Sequence, residues 1–245
     1  KSASTRKPTI PFSPYDHTLL IGEGDFSFAA SLITDHALAS LVATAFDSEE
    51  EVHAKYPSSA AHISTITSTL DAAEDDVIRY SIDATTLHRT FKKQRFRRIV
   101  FNFPHVGGKS TDVNRQVRAN QALLAAFFES VKGLLDPVDS SVLVTLFERV
   151  PYTLWNIRDL ARHAGLTVLR SFAFDKSTYP TYRHARTLGV VRKGGEDGQE
   201  ESESAWKGED RAARVYEFGL KRDEDGGGKK RRKKRKAGEE SSDSE

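Results

Sequence analysis

Apolar positions along the chain fall in short, nearly continuous runs separated by stretches of helical period. HTLLIG (17–22), LVATAFD (41–47), VIRYSID (77–83), RRIVFNF (97–103) and SVLVTLF (141–147) are runs of the first kind. A strand that is apolar on both faces is covered on both, which suits a parallel sheet flanked by helices. Between the runs, FSFAASLITDHA (26–37), SEEEVHAKYP (48–57) and VNRQVRANQALLAAFFESVKGLL (113–135) repeat apolar residues at helical spacing, and Asp136-Pro137 closes the last. This βαβ alternation predicts an α/β fold with a doubly wound, mostly parallel sheet. After the fifth strand, YTLWNIRDLARHAG (152–165) reads as one helix ending at Gly165, with Trp155 on its apolar face and therefore in the core. Strand candidates follow at TVLRSFAF (167–174), HARTLGVV (184–191) and ARVYEFGL (213–220). Three β-type segments so late in the chain predict an antiparallel C-terminal edge.

Composition changes this picture at the ends. The chain has 245 residues, enough for one large domain or two small ones, yet its 38% apolar fraction is low for a fully globular chain. The layout of charge accounts for the shortfall. Residues 1–192 carry 23 basic and 20 acidic side chains, whereas 193–245 carry 14 and 15 in blocks: GGEDGQEESES (194–204), KKRRKKRK (229–236) and GEESSDSE (238–245). None of these blocks can build a core. The expected organisation is an extension at 1–14 and a folded domain at 15–192. A disordered acidic insertion at 193–212 precedes a strand at 213–220 that returns to the domain, and a disordered tail runs over 221–245. The basic octamer reads as a solvated run, a nuclear or nucleolar address, or a phosphate-neutralising contact to nucleic acid.

The chain contains neither cysteine nor methionine. Disulfides, thiolate zinc sites, iron–sulfur clusters and cysteine nucleophiles are excluded, and no metal is expected. A chain starting at Lys1 without methionine is expected to be trimmed or processed. No 18-residue apolar run and no secretory leader occurs, so a soluble chain without a membrane partner is expected.

Candidate chemistry lies just beyond the carboxyl ends of the strands, where open α/β sheets bind ligands. After the first strand, Gly22-Glu23-Gly24-Asp25-Phe26-Ser27 permits a tight turn with close backbone approach to a ligand, with small Ser27 where a third glycine often sits. A plain βα turn would look the same. Asp47 ends the second strand, where a carboxylate can accept from both ribose hydroxyls; together the two features point to a nucleoside cofactor. A nicotinamide dinucleotide fits as well. Asp83, after the third strand, could take the exocyclic amine of adenine or simply cap the following helix. The fourth strand runs into Asn102-Phe103-Pro104-His105-Val106-Gly107-Gly108. This segment is similar to the Asn-Pro-Pro-aromatic loop of methyltransferases that present a planar base nitrogen to S-adenosylmethionine. An amide can bond the base edge while an aromatic face stacks on the ring, although Phe103 could be ordinary core and Pro104 an ordinary turn.

The stretches LLIGEGDFSFAASL, ATAFDSEEEVHAKYP, IVFNFPHVGG, RQVRANQALLAAFF, YTLWNIRDLA and YPTYRHART, in this order, closely resemble the eukaryotic family of large-subunit ribosomal RNA uridine-N3 methyltransferases. The resemblance covers roughly 15–192 and the strand at 213–220. It implies a Rossmann-like class I methyltransferase fold, S-adenosylmethionine as cofactor, ribosomal RNA or a pre-ribosomal particle as partner, and action in the nucleus at the nucleolus. By position, Gly22, Glu23, Gly24, Asp25, Phe26 and Ser27 resemble the cofactor loop, Asp47 the ribose ligand and Asp83 the adenine-side acid. Asn102, Phe103, Pro104 and His105 resemble the catalytic base loop, with Asn102 also near the cofactor. One departure stands out: many class I methyltransferases carry an acid two residues before the first glycine, where this chain has Leu20. Glu23 or Asp25 is expected to supply that carboxylate.

Without cysteine, methylation at C5 of a pyrimidine has no nucleophile to add to the ring, so transfer is expected by direct displacement on nitrogen or oxygen. Asn102 is expected to hold the uracil edge, Phe103 to stack on it, and His105 or a nearby carboxylate to accept the imide proton. Arg115 with Arg118, and Arg183 with His184 and Arg186, are candidate RNA contacts, as are Lys92, Lys93, Arg95, Arg97 and Arg98, unless they are only solvated surface. A monomer is expected. Two other readings remain at this point: a ribosome-assembly factor that binds S-adenosylmethionine and RNA without catalysis, and a nicotinamide-dependent oxidoreductase.

Overall fold

The computed structural model describes residues 7–107, 112–184 and 211–221. Along these residues run β1 (His17–Ile21), α1 (Ser27–Thr34), β2 (Ser40–Thr44), α2 (Glu49–Lys55), α3 (Ser59–Leu70), α4 (Glu74–Val77), β3 (Ile78–Arg79), α5 (Leu87–Thr90) and β4 (Arg98–Asn102). They continue through α6 (Val113–Val131), β5 (Ser141–Phe147), α7 (Ile157–His163), β6 (Leu166–Ala173) and β7 (Ala213–Leu220). One sheet holds all seven strands in the order β3-β2-β1-β4-β5-β7-β6. Pairing is parallel from β3 to β5, and β7 runs antiparallel to both β5 and β6. This is the doubly wound, Rossmann-like arrangement expected from the sequence, with an antiparallel C-terminal edge.

The continuous apolar runs are explained by burial on both faces. In β1, Leu19 and Ile21 face a layer that includes Leu124, Phe127 and Phe128 of α6, whereas Leu20 faces Phe28 and Ala29 of α1 and Ile66 of α3. Successive strand residues point to opposite faces, so each must be apolar. Local signals start two of the helices. Ser48 and Glu51 form a reciprocal capping box on α2, and Asp112 caps α6 by accepting the Arg115 N–H at 3.1 Å. β7 is held in register by Glu217, which is 5% exposed. Its carboxylate accepts from Ser141 Oγ at 2.8 Å in β5 and pairs with Arg170 of β6 at 2.5 Å.

Two expectations require correction, and one element is additional to them. The run 77–83 is a strand only over Ile78–Arg79, because Ser81 takes a left-handed conformation (φ 55°) that interrupts the ladder. Single backbone bonds, Ser81 N–H to Asp47 O at 3.0 Å and Ile82 N–H to Ala45 O at 2.9 Å, keep the segment beside the end of β2. The helix expected over 152–165 is divided into a short 3-10 turn at Tyr152–Trp155 and α7, with Asn156 at φ 52° between them; Trp155 is 1% exposed in the core. α3 is an element that the hydrophobic pattern does not announce, since its serines, threonines and isoleucines are weak helix formers. The strand expected at 184–191 lies outside the described residues apart from His184. Most of the acidic segment and tail, including the basic octamer, lies outside them too. No described helix is long and apolar enough to cross a membrane.

Candidate active site

The segments leaving β1, β2, β3 and β4 line a common cleft of about 400 Å³. It opens at the carboxyl ends of β1 and β4, the neighbouring strands at which the chain reverses its winding.

After β1, Gly22 turns the chain at φ 66°, and a Cβ at this position would stand 2.9 Å from the Phe101 ring. The Glu23 N–H then donates to Thr44 O at 2.8 Å, which lays the loop across the end of β2. Gly22, Glu23, Gly24 and Asp25 line the cleft. Phe26 and Ser27, expected in the same contact, lie behind it. Phe26 adopts a left-handed conformation (φ 60°) that turns its fully buried ring toward Tyr80, edge-on at 6.0 Å. Ser27 Oγ lies 2.7 Å from Asp25 Oδ1 and accepts the Arg183 N–H at 3.0 Å, so it joins the loop to a distant segment.

Leu20 is buried in the core and offers the cleft nothing. The carboxylates that the glycine loop itself brings to the cleft are Glu23 and Asp25. Burial, and then the neighbouring Asp25 charge, push Glu23 up to about 8, against the Ala29 N–H that donates to it at 3.3 Å. Asp25 Oδ1 accepts the Ser27 N–H at 3.0 Å, while His62 Nδ1 donates to the Asp25 carbonyl at 2.7 Å. The folded protein therefore holds a proton on Glu23 that the unfolded chain releases in the ordinary carboxylate range. That contribution to stability is complete at low pH and is lost as pH rises through about 8. Thermal unfolding of the protein without ligand should fall more steeply between pH 6 and 9 in wild type than in Glu23→Gln; parallel curves would contradict a neutral Glu23.

Asp47 lies three residues past β2 and pairs with Lys55 at the end of α2, Nζ to Oδ1 2.6 Å. Phe46 beside it is 72% exposed and also lines the cleft. Burial and the Asp47 charge push the Tyr56 phenol well above its ordinary value. Asp83 Oδ1 accepts from both the N–H and Oγ1 of Thr85 at 2.8 Å, so it closes its own turn while lining the cleft.

After β4, Asn102, Phe103, Pro104 and His105 all line the cleft. Asn102 lies opposite Thr145 of β5, and Thr145 Oγ1 donates to its Oδ1 at 2.6 Å. Its Nδ2 is buried and has no hydrogen-bond partner among the described residues. Phe103 sits at φ 49°, a conformation that costs a non-glycine residue about 1 kcal/mol or more. Its ring packs on Phe147 at 4.5 Å and meets His184 edge-on at 4.6 Å. Asn120, 1% exposed on α6, accepts the Val106 N–H at 3.0 Å and fixes the loop to the helix. His105 Nδ1 accepts the Gly107 N–H at 2.8 Å, so the neutral ring carries its proton on Nε2; burial lowers its pKa and favours that neutral form.

Of the arginines, Arg183 lines the cleft and donates to Pro180 O at 2.9 Å. Arg115 and Arg118 are exposed on the first turns of α6, outside the cleft lining, and Arg186 lies outside the described residues. Sequence reasoning missed Phe46, Lys55, Asn120 and Tyr182. An aromatic directly before the ribose-side acid was a usable signal for Phe46, but the others reach the site only through the topology. Among the described residues no group of three or more His, Asp or Glu is placed to hold a metal ion.

Comparison with known proteins agrees with this geometry. A family model described as BMT5-like, rRNA (uridine-N3-)-methyltransferase, matches residues 19–186, from β1 to just beyond His184. Heavy metal-associated isoprenylated plant protein 41 of Arabidopsis thaliana is 34% identical over 183 residues; the match covers 73% of this chain but only 34% of that protein. An uncharacterized Arabidopsis thaliana protein is 30% identical over 187 residues, with 74% of this chain and 87% of that one covered. The 25S rRNA (uridine(2634)-N(3))-methyltransferase of Saccharomyces cerevisiae is 27% identical over 263 residues, covering 85% and 74%. The matched span contains the glycine turn, the cleft carboxylates Glu23, Asp25, Asp47 and Asp83 and the Asn-Phe-Pro-His loop, and on it the chain belongs to the BMT5-like family of rRNA (uridine-N3-)-methyltransferases.

Proposed function

We propose that this chain transfers the methyl group of S-adenosylmethionine directly to N3 of a uridine in large-subunit ribosomal RNA. The observation that carries this reading is the buried Asn102 Nδ2, a donor with no partner among the described residues, at the junction of the glycine loop and the base loop. An unmade buried hydrogen bond costs about 1–3 kcal/mol, a cost that a ligand offering an acceptor would remove.

The cleft residues fit the cofactor. Glu23 and Asp25 can receive its ammonium group, Asp47 its ribose hydroxyls with Lys55 fixing the carboxylate, and exposed Phe46 the face of its adenine, with Asp83 at the amine edge. When bound, S-adenosylmethionine supplies a methyl already made electrophilic by the sulfonium. The protein's part is alignment, exclusion of water and handling of the imide proton. In uracil two carbonyls flank N3. Asn102 Nδ2 and His105 Nε2–H, three residues apart on one loop, can each donate to one of them, and both bonds strengthen as negative charge spreads onto those oxygens when N3–H is lost. In this reading His105 donates and does not act as the base. Arg115, Arg118, Arg183 and Arg186 are proposed RNA contacts. A monomer acting on a pre-ribosomal particle in the nucleolus is the proposed setting, in keeping with the basic octamer at 229–236.

Purified protein incubated with methyl-labelled S-adenosylmethionine and large-subunit rRNA from cells lacking the modification should label that RNA and leave small-subunit rRNA unlabelled. Label in neither RNA, with cofactor binding intact, would overturn the reading.

A further inference from the structure

The basic residues ahead of β4 take no part in the cleft, and the fold divides them into two kinds. Between Asp83 and Asp112 the chain carries no acid, and Arg89, Lys92, Lys93, Arg95, Arg97 and Arg98 fall close together. Arg98 serves the fold: its Nε lies 3.3 Å from Asp16 Oδ2 and donates to Pro11 O at 3.2 Å. The other five are exposed, and none pairs with a carboxylate among the described residues. Acids around them are committed elsewhere, Asp16 and Asp139 to Arg98, Glu129 to Lys132 at 2.6 Å, and Asp136 Oδ1 to the Val138 N–H at 2.8 Å.

The backbone that carries these cations is fixed. Phe91 and Phe96 are buried and meet edge-on at 5.7 Å, and Phe96 stacks on His17 at 4.7 Å. The Gln94 N–H donates to Phe91 O at 3.0 Å and the Phe96 N–H to Leu134 O at 2.8 Å. Both rings that could stack on a base are thus turned inward, while the cations face out. Such a surface suits a phosphate backbone, whose recognition needs charge and carries no base readout.

Residues 89–97 lie at the amino end of β4, opposite the cleft, and α6 joins the two ends. Near its start Asn120 holds the base loop through the Val106 N–H, and near its finish Ser130 Oγ donates at 2.7 Å to Ala84 O, in the segment leading into α5. Its 19 residues span about 28 Å at about 1.5 Å each. Arg115 and Arg118 are exposed on its first turns, and its single acid, Glu129, is the one paired with Lys132. Positive charge at both ends of this helix matches a run of phosphates that extends well past one nucleotide in the cleft. Resting on the RNA-substrate reading above, we propose that the exposed cations of 89–97 form a second RNA site, which holds the phosphate backbone of the structured RNA flanking the target uridine.

The test measures affinity for in vitro transcribed large-subunit rRNA from 50 to 300 mM salt, together with S-adenosylhomocysteine affinity and single-turnover methyl transfer at saturating RNA. Lys92→Gln/Lys93→Gln/Arg95→Gln should bind the RNA at least tenfold more weakly at 100 mM salt, and the slope of log Kd against log salt should fall by about two to three. Arg89→Gln/Arg97→Gln should lower the slope by about two, and Lys92→Arg/Lys93→Arg should match wild type. Cofactor-product affinity and the rate at saturating RNA should stay unchanged throughout. Neutralising three exposed cations elsewhere, in Lys7→Gln/Arg162→Gln/Lys221→Gln, should cost less than threefold. An unchanged slope, an equal loss in that last variant, or loss of S-adenosylhomocysteine affinity in both neutralised sets overturns the second site. Tighter RNA binding by the triple variant does so too, since it is the result expected if the patch holds an acidic segment of this chain. Wild type that binds the RNA but transfers no methyl overturns the methyl-transfer reading and leaves the second site in place.

Discussion

Asn102→Ala should slow methyl transfer by about 10²–10³-fold while changing the free energy of unfolding by no more than about 1 kcal/mol. The two effects separate because the amide has one half committed to the fold and one half committed to nothing in it. Its Oδ1 accepts from Thr145 Oγ1 at 2.6 Å, and truncation forfeits that bond. Its Nδ2 is buried without a partner among the described residues, and truncation removes that cost as well. The opposing terms nearly cancel in the protein alone. During methyl transfer they should not, because in the proposed mechanism Nδ2 is one of two donors that meet the charge developing on the uracil carbonyls. Asn102→Leu sharpens the comparison: an apolar side chain of similar size should leave the protein without ligand as stable as wild type or slightly more so, and inactive. Thermal unfolding and single-turnover kinetics on the same preparations check both. A variant within fivefold of the wild-type rate would remove Asn102 from the chemistry.

Gly22→Ala should destabilise the protein by about 2–5 kcal/mol and abolish measurable cofactor binding. Part of the cost is conformational, since an L-residue at φ 66° loses about 1–2 kcal/mol. The rest is steric. The new Cβ would stand 2.9 Å from Phe101, whose ring is 7% exposed and packed edge-on against Phe127 at 5.0 Å, and overpacking a core costs about 1–3 kcal/mol. Relief would shift Phe101 and with it Asn102, the next residue of β4. Gly165 provides the internal control. It too has positive φ, at 83°, but a Cβ there meets nothing within 4 Å. Gly165→Ala should thus show only the conformational part, about 1–2 kcal/mol. Equal losses in the two variants, measured by denaturant unfolding, would mean that the close approach of Gly22 to Phe101 contributes nothing.

How much of this was legible in the sequence follows from which forces act locally. Strands buried on both faces announce themselves as apolar runs, so β1, β2, β4, β5 and β7 were readable, and a glycine turn or an Asn-Phe-Pro-His segment at a strand end places its own residues in the cleft. β3 was overread because Ser81 adopts a left-handed conformation that nothing in VIRYSID requires. α3 was missed because its helix is held by Ile63 and Ile66 packing into the core, a tertiary effect that overrides weak propensity. Phe26 and Ser27 share a motif with cleft residues yet face away from the cleft, because motif spacing does not specify side-chain direction. Lys55 reaches Asp47 across the length of α2, and Tyr182 and His184 arrive more than 150 residues after the glycine loop. Only the sheet order brings Tyr182 and His184 to the glycine loop.

Transfer of the methyl group to N3 of uridine is read from the nucleoside product. Large-subunit rRNA methylated by the purified protein should be digested to nucleosides and resolved by chromatography and mass spectrometry against N3-methyluridine, 5-methyluridine and 2′-O-methyluridine. Uridine methylated at N3, absent when Asn102→Ala replaces wild type, is the predicted result. Methyl found on C5, on the ribose or on a base other than uracil would contradict it.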